Sequence, residues 1–297
     1  MKELSFIKAI ENQIGKKYLG DDCAYLKELG IVISQDSLIE NIHFKREWCT
    51  PYQLGYKSMA VNISDILASG AEPKYVTIAL SLTNDIDENF VKEFYRGVQS
   101  VCENVEIVGG DITGSLKDIM ISVTAIGLTK DRNISSRKNA KAGYILITKG
   151  NHGSSALGLE KLQNGEKESE FVKYHLGPEL EFDFSKQIAE CVKEEYAMMD
   201  TSDGIADALY RIAEASGVKF IVDYKKIPHL KEVKTEQVLF GGEDYKLVAA
   251  VPKKYLTLIK GAVQIGEVHP YDGTRVEIAG EKYSSYDELR VYNHFGE

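Results

Sequence analysis

Apolar and polar positions follow two different periods along this chain, and the change from one to the other recurs from end to end. Residues 31–36, "IVISQD", read as a strand. "TPYQLGYKSMAVNISDILASG" then reads as a helix, with Thr50 as N-cap, Pro51 at the first helical position and Gly70 as terminator. "YVTIALSL" follows as a strand. Asp87 caps the next helix, in which Phe90, Val91, Phe94, Val98 and Val101 share one face at helical spacing. "VEIV" and the alternating "IMISVTAIGL" return to strand. The polar stretch "SSRKNAKAG" interrupts the pattern and marks the domain junction, giving an N-terminal domain over 1–135 and a C-terminal domain over 136–297. The second domain opens on strand "YILITKG", with helices expected near 154–163, 183–196 and 204–216 and strands near 219–224, 244–251 and 263–268. Strands interleaved with helices predict an α/β fold. The adjacent strands around 105–128 predict mixed sheets in place of a strictly parallel one.

Size and composition narrow this picture. At 297 residues the chain exceeds the usual reach of one hydrophobic core, so two domains are expected. Hydrophobic residues make up 43% and charged residues 27%, which suits an ordered globular protein. The longest apolar run, around 120–128, is too short to cross a bilayer, and the N-terminal "MKELSFIKAIENQIGKK" is broken by charge into an amphipathic helix unlike a signal peptide. No membrane partner is expected. The net charge of −9 opposes nucleic acid as the main partner. Cys23, Cys49, Cys102 and Cys191 form no C-x-x-C pair, so neither a zinc site nor a disulfide framework is indicated, and a reducing cytoplasm is the expected location.

The acidic residues carry the candidate chemistry. They recur in "GDDCA" (20–24), "SQDS" (34–37), "NISD" (62–65), "GGDIT" (109–113), "DTSDG" (200–204) and "GGEDY" (241–245), mostly beside Gly, Ser or Thr. One such cluster is ordinarily a turn or a helix cap. Together they suit Mg²⁺, a hard ion that takes a few carboxylates and completes its shell with water and phosphate; without cations, converging carboxylates repel. "VGGDIT" reads as the end of a buried strand followed by a tight turn, where Gly109 and Gly110 allow positive φ or close approach and Asp111 is a turn residue or a ligand. "TKGNHGSSALG" (148–158) enters a helix from a strand, either to present N–H donors to phosphate or as a flexible connection. No G-x-x-x-x-G-K-[ST] and no G-x-G-x-x-G is present, and "GYKS" (55–58) lies inside a predicted helix.

The ordered set GDDCA, QDSLIENIHF, GYKSMAVNISDILASGAEP, VGGDIT, SSRKNAKAG, DTSDGIADAL and FGGEDY resembles the thiamine-monophosphate kinase family across nearly the whole chain. The resemblance implies a magnesium-dependent enzyme that uses ATP to convert thiamine monophosphate to thiamine diphosphate. It also implies the two-domain fold shared with aminoimidazole ribonucleotide synthetase and selenophosphate synthetase, a homodimer formed through the N-terminal sheet, and ATP in a cleft between the domains. By position, it implies a cluster of several Mg²⁺ ions at Asp22, Ser34, Gln35, Asp36, Asp65, Asp111, Asp200 and Asp203. Gly110, Asp111, Arg137 and Ser202 would meet the nucleotide, and His43, Glu243 and Tyr292 the thiamine substrate. Gln35 departs from the family's usual Thr, Ser37 replaces a second Thr, and the segment between Ile227 and Phe240 is shorter than is common. No side-chain base is expected, because a phosphate monoester, with a second pKa near ~6, is already mostly dianionic at neutral pH. Two alternatives stand beside this reading: another ATP-using enzyme of the same superfamily, or a noncatalytic nucleotide-binding or assembly protein on that scaffold.

Overall fold

Burial of the alternating segments builds two mixed sheets in the computed structural model, which describes residues 2–292. The first half runs α1 (Lys2–Ile14), β1 (Ala24–Leu26), β2 (Ile31–Ile39), α2 (Pro51–Ser69), β3 (Glu72–Leu82), α3 (Glu88–Val101), β4 (Glu106–Gly114) and β5 (Met120–Leu128). Its strands form one sheet in the order β1-β2-β5-β3-β4, with only the β3–β4 pair parallel. The second half runs β6 (Tyr144–Thr148), α4 (Ser154–Gln163), α5 (Glu170–Leu176), α6 (Phe182–Cys191), β7 (Ala197–Asp200), α7 (Ile205–Ser216), β8 (Val218–Val222), α8 (Thr235–Phe240), β9 (Leu247–Pro252), β10 (Val263–Pro270), β11 (Val276–Ile278) and β12 (Glu281–Tyr283). Seven strands pair there in the order β12-β11-β8-β10-β6-β9-β7, again with one parallel pair, β8–β11.

Helix α2 is the hinge of the architecture. Thr50 accepts a hydrogen bond from the Gln53 N–H at 3.2 Å while Gln53 Oε1 accepts from the Thr50 N–H at 2.9 Å, and Gly70 ends the helix at φ 84°. The helix touches β2, β3 and β5 on one side and β7 on the other, so it is buried on nearly every face. Ile63 and Ile66 of α2 therefore share one core with Val123 of β5, Phe184 of α6 and Leu247 of β9. The opposite face of the second sheet packs a separate core under α7, with Leu146, Leu209, Phe220 and Val248. Burial on both faces explains why "YILIT" reads as an unbroken apolar run.

One expectation fails in β4. "VGGDIT" does not leave a buried strand by a turn; it is the middle of an exposed strand at the edge of the sheet. Neither Gly109 nor Gly110 has positive φ. A Cβ at Gly110 would stand 2.0 Å from the Ile78 carbonyl oxygen, so glycine is required by the approach of β3. The extra residue of a bulge opposite Val76 and Thr77 sets that approach.

Candidate active site

Three carboxylates from distant parts of the chain converge where the two sheets meet. Asp22 comes from the segment before β1, Asp65 from α2 and Asp200 from the end of β7, and their ligand oxygens lie within 4.8 Å of one another. Asp200 is 1% exposed. Its Oδ2 accepts from Ser64 Oγ at 2.5 Å, whereas Oδ1 is buried with no hydrogen-bond partner. Ser34 Oγ donates to Asp65 Oδ2, and the Asp36 N–H donates to Asn62 Oδ1 at 2.9 Å, which fixes β2 against α2. Burial, followed by the charge of Asp22, pushes Asp200 up to about 7. Burial and the charges of Asp36, Asp200 and Asp22 raise Asp65 well above the carboxylate range, and desolvation with Asp22 raises Asp36. Repelling carboxylates and an unpartnered buried oxygen are what a hard divalent cation satisfies, so these residues fit Mg²⁺.

A cation already borders the group. Arg137 Nη2 donates to Asp22 Oδ1 at 2.6 Å, and its Nε is buried without a partner, a donor left for an anion. Asp21 holds this corner, accepting from Ser136 Oγ at 2.8 Å and from the Arg137 N–H at 2.7 Å. Ser202 and Asp203 lie on the loop from β7 to α7, half-buried, and the Ser202 carbonyl accepts from the Glu243 N–H at 2.7 Å. The "DTSDG" and "GGEDY" loops are thereby joined.

Glu243 faces the other end of the site. It has φ 65° and its Oε2 accepts from Lys57 Nζ at 3.2 Å, with His175 Nδ1 at 3.4 Å. His43 Nδ1 accepts from the Ile39 N–H at 3.0 Å. An apolar pocket lined by Phe44, Trp48, Leu54 and Leu176 runs from His43 to Lys57 and His175.

Other expected site residues stand apart. Strand alternation points Gln35 to the opposite face from Ser34 and Asp36, where its Nε2 donates to Ser122 Oγ at 3.1 Å, so its side chain is not directed at the carboxylate group. Gly110 and Asp111 are exposed on β4, outside the group, and Tyr292 is 58% exposed at the end of the described chain. Asp244 of "GGEDY" is a cap: its buried carboxylate accepts from the Gly153 N–H and, at 2.9 Å, from the Ser155 N–H. Those donors of "TKGNHGSSALG" are therefore engaged inside the protein and do not cradle phosphate. Asp21, Ser64, Lys57 and His175 escape the sequence reading. Asp21 and Ser64 lie inside the GDDCA and NISD clusters without being singled out there, Lys57 is the one lysine of α2, and His175 leaves no trace.

Models of AIR synthase related proteins match the chain twice, the N-terminal domain over residues 20–129 and the C-terminal domain over 143–278. Fold and site thus define a two-domain protein of that class. Within it, the thiamine-monophosphate kinase of Aquifex aeolicus (strain VF5) is 34% identical over 95% of this chain and 97% of its own length. That of Bacillus subtilis (strain 168) is 31% identical over 93% of each. The solved structure of AaThiL complexed with AMPPCP and TMP is similar with a TM-score of 0.87 and 32% identity over 96% of both chains. The chain belongs to the thiamine-monophosphate kinase family. No helix among its described residues is long and apolar enough to cross a membrane.

Proposed function

We propose that the chain transfers the γ-phosphoryl group of ATP to thiamine monophosphate, giving thiamine diphosphate and ADP, with Mg²⁺ as cofactor. The observation that carries this reading is the convergence of Asp22, Asp65 and Asp200 with an unpartnered Asp200 oxygen, in a chain of this family. Asp22, Asp65 and Asp200 would hold metal, Ser34 and Asp36 would support them and Asp203 would add a carboxylate from the loop after β7, whereas Gly110 and Asp111 stand outside this group on β4. Bound Mg²⁺ supplies charge neutralisation between two anionic phosphates. Arg137, fixed by Asp22, and Ser202 hold the nucleotide phosphates, while His43, Glu243 and Tyr292 hold the acceptor. Because the acceptor phosphate is already ionised, no side chain has to remove a proton, and its oxygen attacks in line without a phosphoenzyme.

The exposed edge strand β4 supports a homodimer through the first sheet, and the four free cysteines suit the cytoplasm. Purified protein given ATP, Mg²⁺ and thiamine monophosphate is expected to form thiamine diphosphate, with thiamine, aminoimidazole precursors and selenide as inactive controls. Phosphorylation of a control in place of thiamine monophosphate overturns the reading. Single turnover with γ-labelled ATP is expected to leave the protein unlabelled. A trapped phosphoprotein refutes direct transfer.

A further inference from the structure

Two neighbouring carboxylates of the first domain hold one arginine at both of its ends. They follow Gly20, whose φ of 106° turns the chain through a region that side chains disfavour. Asp22 Oδ1 accepts from Arg137 Nη2 at 2.6 Å, whereas Asp21 Oδ1 accepts from the Arg137 backbone N–H at 2.7 Å and Asp21 Oδ2 from Ser136 Oγ at 2.8 Å. Both Asp21 oxygens are thus engaged by the junction between the domains, and Asp21 is not a member of the group formed by Asp22, Asp65 and Asp200. From the second domain, Ser216 Oγ donates to the Arg137 carbonyl at 2.6 Å and accepts from the Ala140 N–H at 2.9 Å. Just upstream, Ser135 Oγ donates to the Ala68 carbonyl near the end of α2 at 2.7 Å. The short turn Arg137–Asn139 is therefore fastened to both domains.

Stability alone does not call for Asp21. The residue is exposed, so water can serve the Ser136 hydroxyl and the Arg137 N–H in its place. Water does not fix a direction, however, and direction matters for a guanidinium, whose donors form a rigid planar fork. Arg137 has 15% of its side chain exposed and a buried Nε without a hydrogen-bond partner. With Nη2 bound to Asp22 and the main chain bound to Asp21 and Ser216, the fork has a fixed aim and an unused donor. We propose that Asp21 is a positioning residue for ATP, aiming Arg137 at the nucleotide phosphates through the Arg137 backbone while touching neither metal nor nucleotide itself. The inference rests on the functional reading above, in which Arg137 holds those phosphates. A role as a further metal ligand would depend on the charge of Asp21, whereas positioning depends on its acceptor oxygens, and an amide separates the two.

Asp21→Asn keeps an acceptor for the Arg137 N–H and removes the charge; Asp21→Ala removes both. Titration calorimetry with a nonhydrolysable ATP analogue and Mg²⁺ is expected to show binding about tenfold weaker in Asp21→Ala, the scale of one misdirected charge-assisted hydrogen bond, and within about threefold of wild type in Asp21→Asn. In turnover, Asp21→Ala is expected to raise KM for ATP by a similar factor and to leave KM for thiamine monophosphate unchanged, a split that general loosening of the fold would not give. Equal losses in the two variants would make the charge the active feature and overturn the proposal, as would wild-type binding in Asp21→Ala. The route through Arg137 has its own check. In Arg137→Ala the guanidinium is gone, so adding Asp21→Ala is expected to weaken analogue binding by less than about twofold more, and full additivity overturns the proposal. Should Asp21→Ala not fold, Asp21→Ser, whose shorter side chain falls away from the Arg137 N–H, makes the same comparison. The calorimetry needs no turnover: a wild type that binds the analogue and fails to phosphorylate thiamine monophosphate overturns the functional reading, a result distinct from an unexpected ranking of the Asp21 variants.

Discussion

The two oxygens of Asp200 are in different circumstances, and the difference makes a prediction. Oδ2 is satisfied by Ser64, whereas Oδ1 is buried without a partner beside Asp22 and Asp65. Asp200→Asn keeps the shape, lets the amide oxygen accept from Ser64 and turns an N–H₂ toward the other two carboxylates. In metal-free protein the exchange relieves repulsion and is expected to raise Tm by roughly 2–4 °C, as about 1 kcal/mol does in a chain of this order of size. With the metal charge no longer matched, turnover is expected to fall by about a hundredfold or more, the loss that follows removal of one preorganised electrostatic partner. Thermal melts with Mg²⁺ and with chelator, beside a turnover assay, check both signs: Mg²⁺ should stabilise the wild type and leave the variant unmoved. An equal Tm loss under both conditions would make Asp200 structural. Asp65 and Asp200 stand out in the sequence because small residues beside a carboxylate are a local signal, Asp65 within α2 and Asp200 at the end of β7. Asp244 carries the same signal and is a helix cap, since the pattern cannot tell a metal from a ring of backbone N–H donors. His175 carries none, because its environment is made by Lys57, 118 positions away.

Helix α2 positions Lys57, Ser64 and Asp65 only as well as it is itself held, and α3 holds it by a close crossing. A Cβ at Gly55 would stand 1.9 Å from the Phe94 carbonyl oxygen, and one at Gly97 would stand 1.9 Å from that of Tyr52. Gly97→Ala sets two effects against each other. Helix propensity favours alanine by about 1 kcal/mol, while overpacking costs about 1–3 kcal/mol and is largest when, as here, the obstructing atoms are backbone and have no rotamer to escape into. Overpacking wins, and we expect Tm to fall by roughly 4–8 °C with a parallel loss of turnover. A rise in Tm would show that the helices separate without cost. The ends of α2 were legible to the residue, because Thr50, Pro51 and Gly70 each act on their own backbone. The crossing was not, nor was Gly110 in β4, since in both the glycine answers to a carbonyl from another element.

Alternation of strand and helix made the mixed α/β class legible, because a period reports that a face is buried. It does not report against what, so the core that α6 and β9 share with α2 was out of reach. The same limit hid an uncovered surface. Strand β4 is the free edge of the first sheet, and Val108 (55% exposed) and Ile112 (64% exposed) stand on it, with Leu116 fully exposed beyond its end. A nine-residue edge bearing exposed apolar side chains is a pairing template that soluble monomers seldom leave open, so covering it by a second copy is the physical case for the proposed dimer. Ile112→Lys tests that case cleanly: the side chain is exposed within one protomer, so the substitution should leave the fold and its circular dichroism unchanged, while a charge placed in an apolar interface should split the dimer. Sedimentation velocity is expected to give a dimer for the wild type and a monomer for Ile112→Lys at the same micromolar concentration. A variant that stays dimeric moves the interface off β4, and a wild type that sediments as a monomer removes the dimer.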